Sequence, residues 1–413
     1  MSITDNDREI LRELGRRFAE VASLPVHAEK RDLWKALNRS AMRRPMVVID
    51  QLPWNELNTD GELDCFVADR FWRGIESSLR QTLYKWEHFP VDMVIEPFIT
   101  IPKAIFNSGY GPVTLETTLP SDERNAVVSH RYVNQLREPE DIEKIHDMRI
   151  VHNDEESRRR MEEAAEIFEG IIPVRQSGGM QFHLGIWDTL STLMGVETIY
   201  FDLLDRPEFI LAILERMTQS LLAGIRQVNE QAISDDAANV CHCSYIYTDE
   251  LLPDFGAGRG SVTGNSWAFG LAQLFTSVSP AVTEEFEIPY ISRLAEHFGG
   301  IYYGCCDRLD DRLDAVKRIP NVKKVSCSPW SNRDAFAERI GNTLIMSAKP
   351  TPAVLAETVF DTSIAHKDLE HTVNAAARNG VNLELILKDI STVKYEPARL
   401  TAWAELAMSV VNG

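Results

Sequence analysis

Short apolar runs alternate with longer amphipathic stretches along most of this chain. Ile10, Leu11, Leu14 and Phe18 recur at the period of one helix face, and a second amphipathic stretch passes through Trp34 and Leu37. Residues 1–40 therefore read as a helical extension ahead of a larger unit at residues 41–413. The run Pro45-Met-Val-Val-Ile-Asp50 reads as a buried strand that ends on a carboxylate, and Met93-Val-Ile-Glu96 repeats the form, with a helix expected over 66–88 between them. Val113, Leu115, Thr117 and Leu119 fall on alternate positions, which predicts a small antiparallel β insertion.

A helix is expected over 139–169, where Glu155 with Arg159 and Glu156 with Arg160 stand four apart on a solvated face. The rhythm then becomes regular. Strands are expected at 173–176, 239–247, 271–275, 300–304, 322–326, 344–347 and 383–387, separated by helices such as 206–229, 283–298 and 366–378 and closed by a helix over 397–411. Short strands alternating with longer helices predict a parallel sheet with helical crossovers. With the runs at Pro45 and Met93 there are about nine, near the eight of a closed barrel. The expected fold is α/β, a single (β/α)8 TIM-type barrel. A doubly wound sheet lacks its Gly-x-Gly-x-x-Gly turn. Gly256-Ala-Gly258-Arg-Gly260 has no Lys-Ser/Thr behind it and reads as a lid or turn.

Composition narrows the function classes. The 413 residues include 62 acids against 43 bases, a formal charge of −19, with 44% apolar residues. Such a surface repels phosphate backbones and anionic lipid, which argues against nucleic-acid and membrane partners. The segment from Met1 to Arg17 has no apolar h-region and no long apolar span occurs elsewhere, so a cytoplasmic location is expected. There the six cysteines read as thiols. Cys65 stands apart, whereas Cys241, Cys243, Cys305, Cys306 and Cys327 gather in one stretch.

In a (β/α) barrel the chemistry sits just past the C-terminal ends of the strands. Those positions carry Asp50, Glu96, Arg175 with Gln176, His242 with Cys243, Gln273, Cys305 with Cys306 and Asp307, Lys349, and Lys388 with Asp389. Acids, thiols and lysines crowded into a mouth must pair, ligate or shift their protonation, although a strand end misplaced by two residues would leave its side chain in solvent. On a regular strand Cys241 and Cys243 share one face and His242 points to the other, so the strand must bend to offer all three to one ion. His242, Cys305 and Cys306 form a thiolate and imidazole set that suits zinc with one open position, while buried cysteines also serve simply as small hydrophobes.

Several segments resemble the uroporphyrinogen decarboxylase superfamily of (β/α) barrels: Arg137-Glu-Pro-Glu-Asp-Ile-Glu, Asp205-Arg-Pro-Glu-Phe, Val278-Ser-Pro280 with Phe286 and Pro289-Tyr290, Tyr303-Gly-Cys305, and Pro397-Ala-Arg-Leu-Thr-Ala-Trp403. The departures choose the branch. Where the porphyrinogen decarboxylases carry an arginine-rich segment, this chain reads Arg44-Pro-Met-Val-Val-Ile-Asp50-Gln-Leu-Pro-Trp54. Where the corrinoid-dependent methyltransferases carry His-x-Cys, it reads Tyr303-Gly-Cys305-Cys306, and their late cysteine falls near Lys388 and Asp389. The resemblance to those methyltransferases implies Cys305 as a zinc ligand.

The expected function is zinc-assisted transfer of a methyl group from a small O- or N-methyl substrate to a corrinoid on a partner protein, as in an O-demethylase. The expected metal set is Cys305, Cys306, His242 and Asp389. Lys349, Lys388 and Asp50 are the expected catalytic groups, and Trp54, Glu96, Arg175 and Tyr303 the expected substrate contacts. A homodimer belongs to the same expectation. The alternatives are a metal-free decarboxylase, in which lysine or arginine grips a carboxylate and Asp50 protonates a carbanion, and a non-catalytic barrel that binds a corrinoid carrier.

Overall fold

Seven parallel strands form the central sheet of this protein. The computed structural model describes residues 3–120, 128–178, 182–233, 239–251 and 262–413. In chain order the strands are β1 (Met46–Ile49), β2 (Phe182–His183), β3 (Trp267–Gly270), β4 (Gly300–Tyr303), β5 (Val322–Cys327), β6 (Ile345–Ala348) and β7 (Asn382–Leu387). Their spatial order is β1-β7-β6-β5-β4-β3-β2. Each crossover that supplies a helix returns the chain in the same direction, so all the ladders are parallel.

Alternation along the strands divides the core into two layers. Met46, Val48, Trp267, Phe269, Tyr302, Ile345 and Ile386 face inward and pack with Trp34, Cys241 and Cys243. Their sequence neighbours Val47, Ile49, Ala268, Ile301, Tyr303, Met346 and Leu385 face outward against the surrounding helices. A strand with both faces covered has no solvent side, which is why these strands read as mainly apolar runs, with Lys324 of β5 and Glu384 of β7 as buried exceptions.

The expected closed barrel is met in part: the sheet is parallel and helix-covered, but it does not close on itself among the described residues. No strand forms at 93–96. That segment is held to β1 by Asp92, whose amide donates to Val47 O at 2.9 Å. Its fully buried carboxylate accepts from Val47 N and from both terminal nitrogens of Arg44. Side-chain bonds thus replace a ladder there. The next strand, Ile99–Pro102, pairs with Val174–Ser177 as a separate two-stranded sheet.

Three further expectations shift. The helix expected over 139–169 divides into a 3-10 turn, Pro139–Lys144, a short strand, Ile150–His152, and a helix, Asp154–Ile167. The strand expected at 271–275 lies four residues earlier as β3, because Trp267 and Phe269 fill the interior and Gly270 lets Ile291 and Tyr303 approach. The strand expected at 239–247 is a tight hairpin, Val240–Cys241 against Ser244–Tyr245. The antiparallel insertion is present as Glu116–Pro120 against Val128–Tyr132. Two helices, Asp5–Ala22 and Val26–Asn38, precede β1. No helix among the described residues is long and apolar enough to cross a membrane. The glycine-rich turn at 256–260 lies outside the described residues.

Candidate active site

Polar side chains enter the interior at two depths. Deep inside, Lys324 of β5 and Glu384 of β7 pair at 2.7 Å with neither side chain exposed. The Lys324 ammonium also donates to Ser244 Oγ at 2.7 Å and Tyr245 O at 3.0 Å, so the pair clamps the hairpin that carries His242. Nearby Lys349, just past β6, donates to Ser347 Oγ at 2.6 Å and to the Tyr302 hydroxyl. Burial lowers the Lys349 pKa.

The second cluster lies at the C-terminal ends of the strands. Gly304 follows β4 with φ +87°, and a side chain there would place Cβ 2.5 Å from Leu309. This turn carries Cys305 and Cys306 out of the strand. The Cys305 amide donates to Asp307 Oδ1 at 2.7 Å, and Ser326 Oγ donates to the Cys305 carbonyl at 2.6 Å, which fixes the loop. The two sulfurs stand 3.6 Å apart, and the Cys306 thiol donates to Asp389 Oδ2 at 2.8 Å. One donor atom from each of Cys305, Cys306 and Asp389 lies within 4.8 Å of the others.

His242 approaches from the hairpin. It turns the chain at φ 55°, and Asp389 adopts φ 56°, a left-handed conformation that non-glycine residues hold only where the surroundings enforce it. The imidazole lies flat on Phe269, with centroids 4.0 Å apart, and places Nε2 3.6 Å from the Cys305 sulfur. Lys388 contacts both, at 2.8 Å from the sulfur and 2.9 Å from Nε2. The bend required to bring His242 toward the thiols is therefore present, with the Lys388 amine seated between ring and sulfur.

Electrostatics separates the two thiols. The neighbouring Cys306 thiol, with His242 and Lys388, holds Cys305 well below the usual thiol range against the effect of burial. Cys306 is pushed up, first by Cys305 and by burial, then by Asp389. Burial works against charge on Lys388, but the Cys243 and Cys305 sulfurs outweigh it and raise its pKa. Two sulfurs and a carboxylate make a donor set suited to zinc, with room for a fourth ligand.

The remaining expected residues scatter. Asp50, past β1, forms an ion pair with Lys85 at 3.4 Å. Trp54 is half-buried and edge-on to Tyr84. Glu96 accepts from Tyr247 OH at 2.5 Å and from Arg31 at 3.1 Å. Arg175 is exposed with its guanidinium over the Phe98 ring. Tyr303 faces outward and donates to Glu287 Oε1 at 3.1 Å; the inward residue of that strand is Tyr302.

Two residues at this mouth escaped the sequence reading. His183 ends the two-residue strand β2, and its ring meets Phe269 edge-on at 5.5 Å. Asp188 stands in the first turn of the helix Ile186–Met194, where Gln273 Nε2 donates to its Oδ2 at 3.0 Å. His183 follows no apolar run, and Asp188 lies within a helix and not at a strand end. The usable signal was the Gly178-Gly179 pair and the loop-to-helix change around Gly185.

No family model matches the sequence, and no curated protein matches it. Among solved structures the chain is similar to a methyltransferase from Methanosarcina mazei, with a TM-score of 0.51 and 10% identity. The alignment covers 92% of this chain and 97% of the other. At that identity the likeness is one of fold.

Proposed function

We propose that this chain is a zinc-assisted methyltransferase that moves a methyl group from a small O- or N-methyl compound to a corrinoid on a partner protein. The observation that carries this reading is the convergence of Cys305, Cys306 and Asp389 at the strand ends, beside Lys388. Two further facts support it: segments that resemble the corrinoid branch of the uroporphyrinogen decarboxylase superfamily, and the fold shared with a methyltransferase.

Cys305, Cys306 and Asp389 would hold the zinc, and His242 is the nearest further donor. Zinc bound there supplies Lewis acidity toward a substrate heteroatom. The chain's own residues prepare the site: Lys388 keeps Cys305 ionised, Asp389 holds Cys306, and the Asp307 and Ser326 contacts keep the thiol loop from relaxing.

Elemental analysis of the purified protein tests the reading, with about one zinc per chain expected. Cys305→Ala should lose zinc together with methyl transfer, by more than the ~100-fold typical of outer-shell ligand partners, while circular dichroism stays unchanged. Full zinc in that variant, or undiminished activity after exhaustive chelation, refutes the proposal.

A further inference from the structure

The three side chains expected to be catalytic are all engaged in contacts of their own. Lys349 is 2% exposed and bonded to Ser347 and Tyr302. Lys388 is held by Cys305 and His242, and Asp50 by Lys85. A departing alkoxide or phenoxide is nevertheless a strong base, and a proton delivered as it leaves lowers the barrier.

A second group of polar side chains reaches the same mouth from β2 and β3. The His183 ring, the Phe269 ring and the His242 ring form one continuous aromatic contact that ends 3.6 Å from the Cys305 sulfur. Asp188 stands five residues past His183. Gln273, just past β3, donates its amide hydrogen to one oxygen of that carboxyl, which sets its direction. The strands β2, β3 and β4 are neighbours in the sheet, so Asp188, Gln273 and Cys305 follow adjacent strand ends at the same mouth.

We propose that Asp188, steadied by Gln273, is the catalytic acid that protonates the oxygen departing from a methyl ether, so that O-methyl compounds are the substrate class. This inference rests on the methyl-transfer reading above. In the step the methyl–oxygen bond breaks and its electron pair stays on oxygen. The methyl carbon is taken by the lone pair of a reduced corrinoid nucleophile. The Asp188 proton passes to the oxygen, and the carboxylate regains a proton from water. A quaternary ammonium donor would leave as a neutral amine and would need no such acid.

Two features of the surroundings favour this role. Burial raises the Asp188 pKa to about 6, with the Cys305 sulfur adding to the rise and Gln273 and His242 opposing it. Its acidic neighbours Asp307 and Glu287 also sense its charge. Burial lowers the pKa of His183, which disfavours a cationic ring at this mouth. A carboxyl that titrates this close to neutrality can both give and regain a proton in each turnover.

The test uses the zinc-loaded full chain, free Co(I) cobalamin as acceptor and para-substituted anisoles as donors. Asp188→Asn should slow para-methylanisole ~100-fold and para-nitroanisole far less, because nitrophenolate leaves without a proton. Gln273→Leu should move the high-pH limb of the rate profile upward, since it removes a bond that favours the ionised carboxyl. A readout without turnover is calorimetric binding of phenol, the demethylated product of anisole. Its affinity should rise about tenfold as Asp188 ionises and can accept the phenol hydrogen, and Asp188→Asn should flatten the rise. Equal slowing across the anisole series, or a phenol affinity unchanged by the substitution, overturns the inference. Turnover of glycine betaine or choline but of no ether overturns it while leaving the methyltransferase reading intact. A wild type that takes up no zinc when it is supplied and transfers methyl from no donor ends both.

Discussion

The floor and the mouth of the sheet interior are built from the same kinds of side chain and reach opposite outcomes. At the floor, Lys324 meets Glu384, and every hydrogen bond of the ammonium goes to an oxygen. At the mouth, Lys388 meets a sulfur and an imidazole nitrogen, while a second sulfur and a carboxylate crowd the same space. The floor charges neutralise each other and lock a hairpin. The mouth groups hold one another in unusual protonation states and leave donor atoms facing one point. Burial alone does not decide what a lysine does: at the floor it has one matched carboxylate, whereas at the mouth a thiol, an imidazole and, at 3.4 Å, the Asp389 carboxylate share it.

The sharpest way to break this comparison is at the floor. Lys324→Met should destabilise the fold by ~3–5 kcal/mol by stranding the Glu384 charge. Lys324→Met with Glu384→Leu should recover most of that loss in urea denaturation. A double variant as unstable as the single one would mean that the pair contributes more than mutual neutralisation.

Glu287 offers an intermediate contrast, a buried acid without a basic partner among the described residues. Its oxygen accepts from Tyr303, and burial raises its pKa to about 8. Between the ordinary carboxyl value and that one, the folded state holds a proton that the unfolded chain has released. Stability therefore falls as pH rises through this window. Glu287→Gln should remove about 4 kcal/mol of that pH dependence, seen as a higher melting temperature near pH 9 and little change near pH 5. A wild type whose stability is flat over this range would put Glu287 with the paired acids of the floor.

The smallest expected effect lies at the mouth. In metal-free protein Lys388→Met should let the Cys305 pKa rise, so iodoacetamide labelling at neutral pH should slow about tenfold and recover at alkaline pH. Labelling that is unaltered would assign the thiolate to Cys306 and His242 alone.

The parallel sheet was legible in the sequence because strands covered on both faces leave long apolar runs between amphipathic helices. The same property hid parity: in Gly-Ile-Tyr-Tyr nothing distinguishes inward Tyr302 from outward Tyr303. Cys305, Cys306 and Asp389 could be found because each follows directly on such a run. The position of His242 could not, because its hairpin turns on a non-glycine residue and carries no turn signature. Asp92 illustrates a different obstacle. It stands where a strand would, yet its side chain does the pairing, and periodicity cannot register a bond made by a carboxylate.

One ladder also bears on how the molecule comes into being. The first strand, Met46–Ile49, has β7, Asn382–Leu387, as its neighbour, so two segments from opposite ends of the chain must meet. During synthesis β1 waits for a partner that is made long after it, and its apolar edge is meanwhile bonded on one side through Asp92. Asp389 follows directly on that late strand. The cluster at the mouth therefore assembles only after β7 has been made, and a product truncated before it would expose an unpaired strand and lack a donor.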